Sequence, residues 1–259
     1  MVVLSLGGGG VQSTVMALMA AHGEIVPMPD VAIFANTQSD ADGIYDHVAW
    51  LDGEVPFEIL MPSAGSCEQD AISGINSTGQ DFTTLPAFRP YGGMGRRQCT
   101  REYKLTPIKL AIREFLGVAK GRRVPKGMVV EQWIGISTDE IGRVAESRDR
   151  WARNRWPLIE LGMSRLDCVE WFTTNYPGRA LARSACVFCP MQHDREWRAM
   201  KANDPESFER ACLVDDALNK RGEYVHRACK PLRSIDFTDY QIDLFARSSA
   251  MQCDGGCFT

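Results

Sequence analysis

The chain lacks a long apolar run, a basic N-terminal segment with a cleavage site, and an excess of positive charge. None of its apolar runs approaches the roughly 20 residues that a membrane-spanning helix requires, and it enters a strand-like segment without a signal-peptide pattern. We therefore expect a cytoplasmic protein with no membrane partner. A net charge of −4 excludes a general attraction to nucleic acid, so contact with a polynucleotide requires a local basic cluster, such as residues 96–97, 120–126 or 148–155.

The remaining composition is that of an ordinary globular protein. Its 259 residues, with 44% apolar and 24% charged side chains, suffice for one core and a smaller appendage. Nine cysteines are a high and odd number for a cytoplasmic chain, in which thiols stay reduced. This number favours metal or cluster ligands over disulfides.

The first 21 residues have the pattern of a strand, a glycine-rich turn and a helix. An apolar run at residues 2–6 is followed by four glycines, Gly7 to Gly10, and then by a helical pattern opening on Ser13 and Thr14. Backbone N–H groups of such a turn, together with a helix N-terminus, suit a phosphate. The lysine that a Walker-type loop needs before Ser13 is replaced by Gln12, and the dinucleotide fingerprint does not fit the spacing. A nucleotide site of another type is predicted, with a ligand-free turn as the alternative.

Strand and helix patterns alternate in the first half of the chain. Strands are predicted at residues 31–35, 57–61 and 129–136, and a helix at residues 44–51. This order predicts an α/β fold with a parallel sheet flanked by helices and a ligand at the carboxyl ends of the strands. We place a nucleotide-binding domain at residues 1–160 and a helical C-terminal portion at residues 161–259. Residues 62–97 lack periodicity and predict a long lid or binding loop.

Several helices have clear end signals. Pro107 is predicted in the first turn of an amphipathic helix. Ser164 and Asp167 resemble a capping box before a helix that ends near residue 176, and Asp204 precedes Pro205 at the start of another. The apolar face of the first of these helices is formed by Ile108, Ala111, Ile112 and Phe115.

The cysteines divide into several groups. Cys186 and Cys189 form a C-x-x-C motif on a turn before a predicted helix at residues 193–201, where thiolate pKa values are commonly lowered. Such a pair can bind one metal or cluster, and a redox dithiol is the alternative. Cys99 is the third predicted ligand. For the fourth ligand we favour Cys257; the other candidates are Cys253, Cys229 and His226. We expect Cys168 to be a packing residue.

Two segments carry a resemblance to a known superfamily. Residues 8–13 resemble the Ser-Gly-Gly-x-Asp-Ser loop of the PP-loop ATP pyrophosphatases, with Gly8 in place of the serine and Gln12 in place of the aspartate. Cys99, followed by Lys104 and then by a Pro-Ile pair, is similar to the cysteine-lysine-proline segment of the phosphoadenylyl-sulfate reductase branch. Adenylyl-sulfate reductases have two adjacent cysteines where this chain has only Cys99.

The resemblance implies a Rossmann-like, adenine nucleotide alpha hydrolase-like fold that binds ATP and Mg²⁺. It implies catalytic roles for Ser13, Gln12, Lys104 and Arg143. Residues implied to contact the nucleotide are Gly8, Gly9, Gly10, Val11, Ser13, Thr14, Asn36, Thr37 and Gly135. The predicted ligands of a [4Fe-4S] cluster, or of zinc as the alternative, are Cys99, Cys186, Cys189 and Cys257.

The chemistry that the resemblance implies is adenylylation followed by sulfur transfer, as in DNA phosphorothioation ATPases. Expected partners are a sulfur donor such as a cysteine desulfurase, and a nucleic-acid acceptor or the subunits of a modification complex. A phosphoadenylyl-sulfate or adenylyl-sulfate reductase using a tail cysteine is one alternative, and zinc-dependent nitrile or amide formation on a deazaguanine is another. A non-catalytic nucleotide-binding partner in a DNA-modification or defence complex is the alternative that Gln12 favours.

Overall fold

The computed structural model describes residues 1–76, 78–81 and 85–237. Within these ranges the protein is α/β, with a five-stranded parallel sheet flanked by helices. The first strand of the chain lies at the centre of this sheet. The predicted α/β class and parallel sheet are therefore confirmed.

The strands are β1 (Val2–Gly7), β2 (Val31–Phe34), β3 (Ile59–Leu60), β4 (Phe88–Arg89), β5 (Gly93–Met94), β6 (Val130–Ile134) and β7 (Ala152–Arg155). The helices are α1 (Val11–Ala21), α2 (Asp42–Glu54), α3 (Cys67–Ser73), α4 (Gln98–Thr100), α5 (Thr106–Phe115), α6 (Pro157–Glu160), α7 (Arg165–Asn175), α8 (Asp194–Asn203) and α9 (Pro205–Asn219). A π-helical turn, Arg101–Leu105, joins α4 to α5, and 3₁₀ turns occupy Thr138–Arg143 and Leu232–Ser234.

Alternation along β1 divides the main core between the two faces of the sheet. Leu4 and Leu6 lie in the cluster that includes α1, α2 and α7, whereas Val3 points to the opposite face and packs with α5. The capping box of α7 is confirmed, because Asp167 N donates to Ser164 Oγ at 3.2 Å and Ser164 N donates to Asp167 Oδ2 at 2.8 Å. Helix α7 packs beside α1, because its buried residues Cys168 and Phe172 lie in the same core cluster as the buried face of α1.

A separate hydrophobic cluster is formed mainly by elements from the second half of the chain. It joins α3, the Arg101–Leu105 turn, the segment before α8, and helices α8 and α9. Its largest members are Trp197, Tyr103 and Phe188, all buried. This cluster brings elements distant in sequence together and contains the cysteines discussed below.

Two sequence expectations are wrong. Residues 62–97 contain helix α3, whose N-terminus is capped because Ser66 Oγ accepts from Gln69 N, and they contain the β4–β5 hairpin. Phe115 is 40% exposed, because α5 ends there and its apolar face is completed by Ile108, Ala111 and Ile112 alone.

Cys168 is fully buried, as expected of a packing residue. In the described part of the chain, no helix has both the length and the apolarity needed to cross a membrane.

A buried histidine fixes α1 against α2 and makes stability depend on pH. His47 Nε2 lies 3.0 Å from Thr14 Oγ1, and burial lowers the pKa of His47 to about 4, with Arg179 adding to the effect. Between pH 6.5 and 4 the unfolded chain therefore binds more protons than the folded protein. Stability from this group is complete above about pH 6.5 and is lost as pH falls toward 4, by up to about 3 kcal/mol.

We expect His47→Gln, which retains hydrogen-bonding capacity toward Thr14, to reduce this acid-side loss. Urea unfolding of wild type and variant at pH 7 and pH 4 measures it. Carboxylates titrate in both proteins, so the quantity of interest is the difference between their two pH-dependent losses. Equal losses would show that His47 does not cause the sensitivity.

Candidate nucleotide and cysteine site

The glycine loop connects the centre of the sheet to helix α1. Gly7 and Gly9 have φ of 60° and 76°, and a Cβ at residue 9 would lie 3.3 Å from the Phe34 ring. Gly10 is the N-cap of α1 and makes no side-chain cap hydrogen bond. Because α1 starts without a side-chain cap, backbone N–H groups at its N-terminus can meet an anion.

Gly135 follows the neighbouring strand β6 and contacts the first turn of α1, directly after the glycine loop. A Cβ at residue 135 would lie 2.8 Å from Ser13 N and 2.9 Å from Ser13 Cα. The pairing of β1 with β6 brings these two segments together. The absence of a side chain at Gly135 therefore allows the strand end to pack directly on the backbone of the first turn of α1.

Gln12 connects the loop to a buried carboxylate. Its Nε2 donates to Glu140 Oε2 at 3.1 Å and to Ser137 Oγ at 3.3 Å, while Arg165 donates to its Oε1 at 3.1 Å. Arg143 donates to Glu140 Oε1 at 2.6 Å. Burial raises the pKa of Glu140, and Arg143 opposes that effect. The carboxyl group of Glu140 thus lies one side chain away from the glycine loop, hydrogen bonded to Gln12.

The other predicted nucleotide residues have different surroundings. Ser13 is buried and its Oγ donates to Gly10 O at 3.0 Å, and Val11 packs in the main core. Thr14 lies in the packing between α1 and α2, as its contact with His47 shows. Asn36, at the end of β2, accepts from Gln38 N at 2.9 Å and from the Tyr45 hydroxyl at 3.3 Å.

Two side chains from other segments lie over Gly8. A Cβ at residue 8 would be 2.0 Å from Ser184 Oγ and 2.7 Å from Lys104 Nζ. Lys104 is 9% exposed and belongs to the π-helical turn, an irregularity frequent at functional sites. The hydroxyl of Ser184 therefore occupies the place that a side chain at position 8 would take.

Four thiols converge beside this loop, of which Cys67 is buried and Cys99, Cys186 and Cys189 are half-buried. The Cys67 thiol is hydrogen bonded to Cys186, and Cys99 interacts electrostatically with Cys67, Cys186 and Cys189. Thr37 Oγ1 lies 3.7 Å from Cys186 Sγ and donates to Asp40 Oδ2 at 2.7 Å. The structure thus brings the three predicted ligands among the described residues together and adds Cys67, which no motif marked.

The thiol pKa values follow from burial and from the surrounding charges. Burial raises the pKa of Cys99 to about 12 and that of Cys189 to about 11. The hydrogen bond from Cys67 lowers the pKa of Cys186, and Lys104 acts in the same direction. The expected lowering by a helix N-terminus is wrong for Cys189, because α8 begins only at Asp194 and burial dominates.

The remaining candidates for a fourth ligand behave differently. Both ring nitrogens of His226 have protein partners, Asp194 Oδ1 at 2.9 Å and Ala228 N at 3.1 Å, as expected of a structural histidine. Cys229 lies in the turn after it, with φ of 49°. Cys253 and Cys257 lie outside the described residues, so the predicted role of Cys257 stays a prediction.

The four thiols form a donor set of the kind that both zinc sites and iron-sulfur clusters use. Within the described ranges, no three His, Cys, Asp or Glu side chains are arranged to hold one metal ion. A zinc site draws its ligands to about 2.0–2.3 Å from one ion, whereas each thiolate of a [4Fe-4S] cluster binds a different iron and its sulfurs stand farther apart. The donor set here is all thiol, and Lys104, Arg97 and Arg183 are near enough to lower thiol pKa values.

In comparisons with family models, with curated proteins and with solved structures, nothing matches the chain. Its function must therefore be inferred from its own residues. Sequence reasoning missed Cys67 because it stands alone in a stretch without periodicity. Ser184 could have been noticed only as a hydroxyl two residues before the C-x-x-C motif, and nothing local connects it to Gly8.

Proposed function

We propose that the protein is an ATP pyrophosphatase-type enzyme, with an adenine nucleotide alpha hydrolase-like fold, that adenylylates an acceptor for sulfur transfer in the cytoplasm. The observation that carries the proposal is the position of Lys104. Its ammonium group lies over Gly8 of the glycine loop and is also near Cys99 and Cys186. One side chain thus joins an anion site to a thiol cluster.

The loop side of the site has the features of a triphosphate site. Uncapped N–H groups at the start of α1, the Lys104 ammonium and the Ser184 hydroxyl approach the same glycines. Mg²⁺ prefers carboxylate and phosphate oxygens, and the Glu140 carboxylate, bonded to Gln12, fits that preference. Arg143 and Arg165 add positive charge beside it, which suits a departing pyrophosphate.

The proposed reaction has two steps. An acceptor oxygen attacks the α-phosphorus of ATP, the bond to the bridging oxygen breaks, and pyrophosphate leaves with the electron pair. A hydrosulfide-level sulfur then attacks the activated acceptor atom, and AMP leaves with the original oxygen. Lys104 stabilises negative charge in the first step and attracts an anionic sulfur for the second. A [4Fe-4S] cluster, when bound by the thiols, would supply thiolate-ligated iron beside this lysine.

An exposed hairpin beside the thiols fits a nucleic-acid acceptor. Tyr91, at the turn between β4 and β5, is fully exposed, and Arg96 and Arg97 follow β5 and are exposed too. Arg97 is near enough to Cys99 and Cys189 to lower their pKa values. An aromatic ring with adjacent arginines is the combination that stacks and holds single-stranded nucleic acid. The surface therefore supports a polynucleotide over a small-molecule acceptor.

The test uses protein purified without oxygen, incubated with ATP and Mg²⁺ in the presence of single-stranded DNA or RNA. We expect AMP and pyrophosphate as products, and about four irons and four sulfides per chain, as one [4Fe-4S] cluster requires. Lys104→Met should abolish AMP formation, whereas Lys109→Met, on the exposed side of α5, should leave it unchanged.

Other products would identify other functions. ADP and phosphate would contradict adenylylation. Tight ATP binding without turnover would favour a non-catalytic nucleotide-binding partner, and one zinc without sulfide would remove the cluster from the proposal. AMP formation that requires a small molecule and ignores nucleic acid would contradict the proposed acceptor class.

A further inference from the structure

Cys67 is held at the end of β2. It is the first residue of α3, its side chain is 1% exposed, and its N–H donates to Thr37 O at 3.1 Å. The next residue, Glu68, donates its N–H to Ser39 Oγ at 2.8 Å and pairs with Arg210 at 2.7 Å. Backbone and side-chain bonds thus fix the start of α3 against residues 37–39.

The C-x-x-C segment is fixed to the same strand end. Val187 N donates to Ser39 O at 2.9 Å, and Cys186 pairs with Asp40 in an antiparallel bridge. Thr37 therefore contacts both cysteines, through its carbonyl at Cys67 and through its hydroxyl at Cys186 Sγ. This shared anchor explains why the two thiols lie within hydrogen-bonding reach of each other.

The segment that carries Cys99 is also fixed to α3. The Tyr103 hydroxyl donates to Asp70 Oδ2 of α3, and Tyr103 is 1% exposed. Helix α3 is therefore connected to the Cys99 segment through Tyr103 and to the C-x-x-C segment through residues 37–40. Cys67 has both Cys186 and Cys99 as neighbours.

Two other described cysteines have different surroundings. Cys168 packs in the main core, and Cys212 of α9 shares a hydrophobic cluster with Cys67, but the charged groups that act on the Cys212 thiol are Arg233 and nearby carboxylates. Cys212 is fully buried, like Cys67, and so is a matched control for burial without convergence.

We propose that Cys67 is the fourth thiolate ligand of the cluster, in place of a tail cysteine. The proposal rests on the proposed function. With residues 67, 99, 186 and 189 as ligands, every corner of a [4Fe-4S] cluster is taken by this chain. The bound cluster would then hold the Lys104 segment and the Ser184 segment against the glycine loop. Because no corner of the cluster stays open, the transferred sulfur must come from a separate donor.

The experiment compares three single variants of the full chain, Cys67→Ser, Cys257→Ser and Cys212→Ser, purified without oxygen. Iron, acid-labile sulfide, zinc and the visible spectrum are measured for each. We expect Cys67→Ser to lose most of its iron and its cluster absorption, and the other two variants to match wild type. Wild-type iron and spectrum in Cys67→Ser overturn the inference, as does loss of iron in Cys257→Ser with retention in Cys67→Ser.

A second measurement, on wild-type protein, tests the inference if the Cys67→Ser variant does not fold. In wild-type protein, stripping the metal with a chelator should increase the alkylation rate of Cys67 together with that of Cys99, Cys186 and Cys189, while Cys212 stays protected. A Cys67 that responds like Cys212 overturns the inference. If wild-type protein holds zinc alone, the proposed cluster is wrong, and the same variants then test Cys67 as a zinc ligand. If wild-type protein holds neither iron nor zinc, both the proposed cluster and the proposed role of Cys67 are overturned.

Discussion

Replacing Gly135 by alanine should weaken ATP binding roughly 10- to 100-fold, the equivalent of the 1–3 kcal/mol that overpacking costs. The added Cβ would stand 2.8 Å from Ser13 N and 3.2 Å from Gln12 C. Both contacts are with backbone, which cannot rotate away as a side chain can. The start of α1 must therefore shift, and the N–H groups proposed to bind phosphate shift with it.

Gly142→Ala is the control for this variant. A Cβ at residue 142 would meet nothing within 4 Å, so the change leaves the loop in place. ATP affinity is measured by calorimetry on both variants, with thermal unfolding alongside to separate local displacement from loss of the fold. A folded Gly135→Ala protein with wild-type affinity would show that phosphate does not bind at this loop.

Gly8→Ser should also weaken ATP binding by roughly 10- to 100-fold, for the same overpacking reason. Its Cβ would stand 2.0 Å from Ser184 Oγ, so the two side chains cannot occupy the same place. Ser184→Gly alone removes a single hydroxyl and should cost about five-fold, the effect of one net hydrogen bond. The two positions compete for one hydroxyl site.

The double variant Gly8→Ser/Ser184→Gly should recover most of the affinity lost by Gly8→Ser. It moves the hydroxyl from the segment before Cys186 to residue 8 of the glycine loop. If the double variant binds ATP no better than Gly8→Ser, the hydroxyls of residues 8 and 184 are not equivalent.

Local patterns predicted the elements that carry the loop. The capping pair Ser164 and Asp167 and the proline in the first turn of α5 act within one helical turn, so they can be interpreted without tertiary structure. Helix α3 escaped prediction because it is short and has only Cys67 and Ala71 buried. Phe115 was misplaced because periodicity alone does not show where an apolar face stops being covered.

The long-range contacts of the site depend on strand order. Sheet order β3-β2-β1-β6-β7 places β6 beside β1, although well over a hundred residues separate Gly7 from Val130. That neighbour relation brings Gly135 to Ser13 and Glu140 to Gln12. Neither pair has a spacing that a motif could reveal.

By itself the sequence determined a parallel α/β sheet, a glycine loop at the start of α1, and cysteines 99, 186 and 189 as a candidate ligand group. Periodicity, glycine conformational freedom and thiol chemistry are local properties, and they suffice for these conclusions. Only the tertiary structure decided that Cys67 joins that group, that Ser184 occupies the place of a side chain at Gly8, and that Lys104 lies between loop and thiols. These contacts arise where the hydrophobic cluster of Trp197, Tyr103 and Phe188 packs against the ends of β1 and β2. Packing between distant segments is a property of the whole fold.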